Sequence, residues 1–360
     1  MKLLNLSSSP HLHHPDSTTG VMLDVIIALI PATICGIYLF GFHAALIVAV
    51  CVASAVIAEY LWCLILKKPQ PVKDLSAVLT GLILSLNLPG TLPLWMAALG
   101  SVIAIVIVKQ MFGGLGQNFA NPALTARIVL MVSFPSYMTR FCYPFTDTVS
   151  AATPLAGGSV PNQTLFLGNY AGCIGETSAL CLLMGGLYLV CRRVISPATP
   201  LAYVASAAAT ALLLGQDPVA ALFSGGLMLG AIYMATDYAT TPNTLLGKII
   251  FGVGCGVITM SIRHFGNMPE GVSFSILLMN ILTPHLNRLG AKKPFGWEEK
   301  AHAYNLKNAG SRLYFTGHFR HYGAAAGRHQ PAYRTKNKRA GSRGAAAGDC
   351  QSAAGTKLRN

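Results

Sequence analysis

The sequence predicts an all-α, polytopic membrane protein of about ten transmembrane helices. Three observations carry that prediction. Charged residues make up only 11% of the chain, against roughly 25% in a soluble domain. Apolar runs long enough to cross a bilayer follow one another from residue 22 to residue 290. The lysines and arginines between these runs fall mainly on alternate connections, as they do when helices cross a membrane back and forth.

The apolar segments cover residues 22–41, 44–66, 75–88, 92–110, 122–138, 174–192, 198–214, 218–236, 246–263 and 272–289. A helix needs roughly 20 residues to cross the hydrocarbon. Residues 1–21 form a polar N-terminus. They lack the short basic region and apolar core of a cleavable signal, so the first segment is expected to direct insertion. The third segment is short and ends in Asn87-Leu88-Pro89. It is expected to be a broken or half-spanning helix, tolerated only where other helices cover its end.

Positive charge assigns the sides. Lys67, Lys68 and Lys73 lie between segments two and three, Arg192 and Arg193 between six and seven, and Arg288, Lys292 and Lys293 after ten. Lys109 and Lys248 edge the connections after segments four and eight. All of these share one side, read as cytoplasmic, with both termini. The other side keeps Arg140 and Arg263 and the long loop 139–173.

A repeat underlies the pattern. KDLSAVLTGLILSLNLPG resembles QDPVAALFSGGLMLGAIY, and MFGGLGQNFANPALTARIVLM resembles RHFGNMPEGVSFSILLMNIL. Asp74 and Asp217 thus open the third segment of each half. Five segments per half is an odd number, so the halves are expected to be inverted repeats, with a binding site at their interface on interrupted helices.

Chemistry-bearing residues are sparse. The chain has no Walker loop, iron–sulfur cysteine pattern or haem motif. Cys35, Cys51, Cys63, Cys181, Cys191 and Cys255 lie in or beside apolar runs and read as small buried hydrophobes. Cys142 and Cys173 bracket the outer loop, where a disulfide would require an oxidising side. His11, His13 and His14 sit in the polar N-terminus and read as solvated. Asp24, Glu59, Asp74, Arg127, Asp217, Asp237 and Glu270 lie at segment edges. Glu59 is the deepest of them, and Arg127 is its expected partner. GGLGQNFANPA combines glycines with Asn118 and Asn121, then Pro122 where a helix starts. It reads as a tight turn, or as backbone donors for an anion. In the outer loop, Thr153 precedes Pro154, which disfavours helix there, and Asp147 and Ser150 suit turns.

Five stretches in order carry a resemblance: DLSAVLTGLILSLNLP (74–89), GGLGQNFANPALTARIVL (113–130), DTVSAATPLAGG (147–158), MATDYATTPNT (234–244) and PEGVSFSILLMNILTPHLNR (269–288). Through them, residues 20–290 resemble the D subunits of Rnf (Rsx) ion-translocating electron-transport complexes. They resemble more distantly the B subunits of sodium-translocating NADH:quinone reductases. The resemblance implies a flavin-transferase recognition motif, Asp-x-x-Ser/Thr-x-Ala-Thr, at Asp147, Ser150 and Thr153. It implies FMN attached to the Thr153 hydroxyl through a phosphodiester. Ala151 stands where many relatives have glycine. A second, noncovalent flavin such as riboflavin is also implied. No residue is expected to be catalytic alone and no metal is expected.

The implied partners are the other subunits of an Rnf complex, the flavin transferase and membrane lipid, with no nucleic acid. The implied place is a bacterial inner membrane, with the flavin loop periplasmic. The implied role is electron relay coupling ferredoxin/NAD chemistry to Na⁺ or H⁺ transport. The rivals are a quinone-reductase subunit and a transporter without redox chemistry.

Residues 291–360 hold 14 Lys/Arg against 3 Asp/Glu, whereas residues 1–290 hold 12 against 9. The basic charge is therefore mostly a tail, poor in aliphatic residues and expected to be disordered. The shift in composition is abrupt, as a changed reading frame would make it.

Overall fold

The computed structural model describes residues 17–67, 70–145, 149–150, 161–176, 178–266 and 270–289. The expected tail at 291–360, most of the N-terminal segment 1–21, and Asp147 and Thr153 lie outside them. The described chain is mostly helical, with helices inside every expected apolar segment.

Helix α1, Thr18–Ile65, contains the first two segments. Ser17 caps it by accepting from the Gly20 N–H. Gly41 interrupts it with φ +75°, a left-handed conformation that glycine adopts without cost;. The chain reverses there. Helix α2, Ser76–Leu86, shows this by its neighbours. Leu79 and Ile83 share a cavity with Val21 and Val25, Gly81 packs on Cys51 and Val52, and Gly90 packs on Phe40. The α2 segment therefore runs with the first arm of α1 and against the second. Its 11 residues rise about 16 Å, half the hydrocarbon thickness. This is the half-spanning helix expected at segment three.

Helix α3, Leu94–Val102, continues into a π-helical stretch, Ile103–Gln110. Helices α4 (Pro122–Ser133) and α5 (Pro135–Met138) complete the first half. Asn121 caps α4 by accepting from the Ala123 and Leu124 N–H groups, and Pro122 takes the first helical position;. Strands β1 (Phe141–Cys142) and β2 (Val149–Ser150) pair antiparallel, Phe141 opposite Ser150. Helix α6 (Asn162–Leu167) follows.

The second half holds α7 (Ala179–Cys191), α8 (Ala198–Leu213), α9 (Pro218–Phe223), α10 (Leu227–Leu229) with a π-helical continuation to Met234, α11 (Leu245–Phe265) and α12 (Val272–Leu289). The eighth expected segment is thus interrupted, with extended Ser224 and left-handed Gly225 (φ +65°) between α9 and α10. Arg263 closes the break. It donates to the Ala221 carbonyl at 2.6 Å and the Ser224 carbonyl at 3.1 Å, satisfying backbone that lipid could not.

The halves share packing rules. In the first, Cys51 meets Ala97 and Glu59 meets Lys109, so the second arm of α1 and the α3 segment run in parallel. In the second, α8 and α11 run in parallel. A Cβ on Gly252 would lie 2.7 Å from the Thr199 carbonyl oxygen, and one on Gly256 2.7 Å from the Ala207 nitrogen. Glycines four residues apart let the two backbones touch, the usual route to close packing in membranes.

The surface is apolar where a soluble protein's would be polar. Ile27, Ile30, Ile34, Leu61 and Leu64 on α1, and Ile249, Val253 and Val257 on α11, are exposed. Charged Glu59, Lys109, Arg127 and Glu176 are buried. Among the described residues, α1 and α11 are long and apolar enough to cross a bilayer.

Candidate functional site

The GGLGQNFANPA turn and the MATDYATT segment meet at one cavity of about 390 Å³, beside the N-terminal ends of α1, α2 and α4; ligand pockets of small molecules start at roughly 300 Å³. Val21, Met22 and Val25 of α1 form one wall, and Leu79, Thr80 and Ile83 of α2 a second. Leu115, Gly116, Asn118 and Asn121 close the third side, and Tyr233, Thr236, Asp237 and Tyr238 come from the other half. The cavity therefore sits between the halves, flanked by both π-helical stretches through Lys109 and Tyr233. Such stretches concentrate at functional sites.

Apolar side chains dominate the lining, with a few polar groups among them. Asn118 presents a buried Oδ1 with no hydrogen-bond partner among the described residues. Asn121 spends its Oδ1 on the α4 N–H groups. Asp237 is half-buried and accepts from the Thr240 hydroxyl at 3.1 Å. Burial raises its carboxyl above the ordinary range, against the lowering effect of the bonds from Thr240 and the Ala239 N–H;. A flat, mostly apolar ring with donors and acceptors along one edge matches this set, and the orphaned Asn118 oxygen needs a donor such a ring carries.

Lys109 borders the same cavity. Its Nζ donates to Glu59 Oε1 at 2.6 Å and to Ser76 Oγ at 2.7 Å. Gln110 Nε2 also donates to Glu59 Oε1, at 2.8 Å. The expected pairing of Glu59 with Arg127 is therefore wrong. Arg127 rises from α4 towards the opposite end and lies in a different network. Its Nη1 donates to Asn87 Oδ1 at 2.7 Å, and its Nη2 to Glu176 Oε1 at 2.9 Å and to Glu270. Cys173 Sγ lies 3.5 Å from the same nitrogen.

Cys173, Glu176 and Glu270 group their ligand atoms within 4.8 Å. The guanidinium contacts all three, so it stands where a cation would. Cys173 forms no disulfide. Glu176 carries this network with Arg127 and was not among the sequence candidates, because a single acid at the start of an apolar segment forms no pattern.

At the Gly41 end a second cavity, of about 500 Å³, is lined by Tyr38, Phe40, His43, Gly90, Cys142, Tyr143 and Phe145. Phe145 stacks edge-on against Tyr38, with ring centroids 5.4 Å apart. His43 Nδ1 lies 2.8 Å from the Gly90 carbonyl oxygen. Of the expected flavin-transferase motif, Ser150 lies on β2 opposite Phe141. Asp147 and Thr153 fall outside the described residues.

Comparison with known proteins matches residues 5–296 to the model of the NQR2, RnfD, RnfE family. Three relatives are similar along nearly their whole lengths. The D subunit of the Na(+)-translocating ferredoxin:NAD(+) oxidoreductase complex of Acetobacterium woodii is 52% identical, over 81% of this chain and 95% of its own. The D subunit of the proton-translocating ferredoxin:NAD(+) oxidoreductase complex of Clostridium ljungdahlii is 40% identical, over 82% and 96%. The D subunit of the ion-translocating oxidoreductase complex of Stutzerimonas stutzeri is 38% identical, over 78% and 92%. With most of its length matched, and with motif segments that meet in one cavity, the chain belongs to the NQR2, RnfD, RnfE family.

Proposed function

We propose that this chain is the D subunit of an ion-translocating ferredoxin:NAD⁺ oxidoreductase complex of a bacterial inner membrane. It relays electrons through FMN on Thr153 and couples that flow to Na⁺ or H⁺ movement. The observation that carries the reading is the near-complete alignment with relatives named for that complex. Those relatives are D subunits, which favours this complex over a quinone reductase.

The same reading takes the helices as about ten spans in two inverted halves. Parallel packing of the second and fourth helices in each half supports it, as does the pair of interrupted third helices. Both termini are then cytoplasmic and the 139–173 loop periplasmic. The two cavities fall at opposite ends of the helices. The cytoplasmic one suits a noncovalent flavin such as riboflavin. Asn118, Thr236 and Asp237 would hold its polar edge, and Leu79, Ile83 and Leu115 its faces. A flavin supplies the electron-carrying chemistry that side chains of this composition lack.

The outer cavity suits the ring carried by Thr153. Ser150, three positions before Thr153 in the sequence, lies on a strand that pairs with Phe141 and Cys142, and Cys142 lines this cavity. Tyr38, Tyr143 and Phe145 would provide stacking faces. Asp147 and Ser150 would serve recognition by the transferase.

The test uses inverted membrane vesicles from a host strain lacking this chain and from the same strain with it restored. Ferredoxin-dependent NAD⁺ reduction and the accompanying ion uptake should both vanish and both return. Reduction that persists without the chain would sink the reading. A plain transporter would instead show ion flux from the purified chain in liposomes, with no bound flavin.

A further inference from the structure

The inner cavity contains one charged group that the function so far leaves idle. An ammonium has three N–H donors. Among the described residues, Lys109 uses two, one on Glu59 Oε1 and one on Ser76 Oγ. The side chain is 3% exposed, and Lys109 and Ser76 both line the cavity. The third donor is left for whatever fills that space.

The local backbone makes this arrangement. Consecutive side chains on an ordinary α-helix point about 100° apart. Lys109 and Gln110 instead reach the same Glu59 oxygen, at 2.6 and 2.8 Å, from a π-helical stretch. That stretch turns both donors towards one carboxylate. Glu59 is fully buried and pairs with the Lys109 ammonium as its counter-charge;. The other half supplies Asp237 to the cavity, and among the described residues no second basic side chain lines it.

We propose that Lys109 sets the reduction potential of the flavin held in the inner cavity, by aiming its third N–H and its positive charge at an acceptor atom of the ring. The inference rests on the reading that this cavity takes the noncovalent flavin. Reduction adds negative charge to the ring, and a fixed cation stabilises the reduced form more than the oxidised one. The surroundings are poorly polarisable, so the effect exceeds what the same pair would show in water. Glu59 acts through Lys109 and is a positioning residue.

The test uses the full-length chain, purified in detergent with Thr153→Val, so that the remaining flavin is acid-extractable. Mass measurement identifies it, and a visible-spectrum reductive titration gives its potential. In the double variant Lys109→Met, Glu59→Gln, neither charge is left buried alone. The ratio of reduced to oxidised flavin at a fixed potential should fall at least tenfold, about 30 mV for a two-electron couple. Lys109→Arg, which keeps charge and donor, should stay near the parent. An unchanged potential in the double variant overturns the role of Lys109. Loss of flavin from the arginine variant as well as the double variant does the same. A parent protein with no extractable flavin overturns the cavity reading beneath it.

Discussion

Lys109 Nζ lies 2.6 Å from Glu59 Oε1, joining residues fifty positions apart, and neither side chain is more than 3% exposed. The pair ties the second arm of α1 to the π-helical end of the α3 segment. Two charges in such a place hold each other; either one alone would be costly. Lys109→Met alone should therefore destabilise the protein by about 3–5 kcal/mol, the cost of breaking a buried pair. The double variant Lys109→Met, Glu59→Gln should recover most of that loss. Thermal midpoints of the four proteins in one detergent form the cycle that measures it. A double-variant loss equal to the sum of the two single losses would show that the pair is not coupled.

Arg127 is expected to be less replaceable. Its two terminal nitrogens serve Asn87, Glu176 and Glu270 together. Lysine has a single nitrogen and no planar fork. Arg127→Lys should lower the yield of monodisperse protein several-fold, and Arg127→Leu should abolish it. Size-exclusion profiles after detergent extraction give the comparison. A normal profile for Arg127→Leu would mean that the network does not hold the loops together.

The α8–α11 crossing predicts a steric effect. Gly252→Val places a side chain where even a Cβ would lie 2.7 Å from the Thr199 carbonyl oxygen. Overpacking of this kind costs about 1–3 kcal/mol. Gly41→Ala should also destabilise, through its left-handed φ;, although nothing lies near its Cβ. Thermal unfolding separates the two if Gly252→Val is partly rescued by Thr199→Gly, which leaves the backbone freer to move, whereas Gly41→Ala has no such partner.

Asp237 makes stability depend on pH. Its folded-state carboxyl is raised by burial, so the folded chain keeps a proton that the unfolded chain has already lost. The stabilising contribution is complete below the ordinary carboxylate value of about 3.9 and is lost as pH rises through the raised value. Asp237→Asn cannot lose a proton. The thermal midpoint of the wild type should fall relative to that variant as pH rises from about 4. Parallel curves would show that Asp237 does not titrate differently on folding.

Much of the architecture could be read from the residues because membrane helices announce themselves by length and apolarity. The half-length α2 before Asn87-Leu88-Pro89 is the segment expected to be broken, and the reversal at Gly41 falls where the first two segments were separated, whereas the break near Gly225 lies in an eighth segment that read as continuous. The motif turns GGLGQNFANPA and MATDYATT were visible as polar islands, but their meeting in one cavity was not, since about 110 residues separate them and packing alone brings them together. Ion partners were the least legible. Glu59 and Lys109 lie at equal depths on parallel helices, a relation that needs the tertiary pairing first. Glu176 gave no signal, because a single acid beside an apolar run resembles any helix entrance.

The central proposal is that Thr153 carries the flavin through which this chain relays electrons, and one gel addresses it. Membranes from cells that also express the flavin transferase are separated under denaturing conditions, with wild type and Thr153→Val side by side and a known covalent flavoprotein as control. The account predicts an ultraviolet-fluorescent band in the wild type that is absent in the variant at equal protein. A dark wild-type band beside a bright control would contradict it.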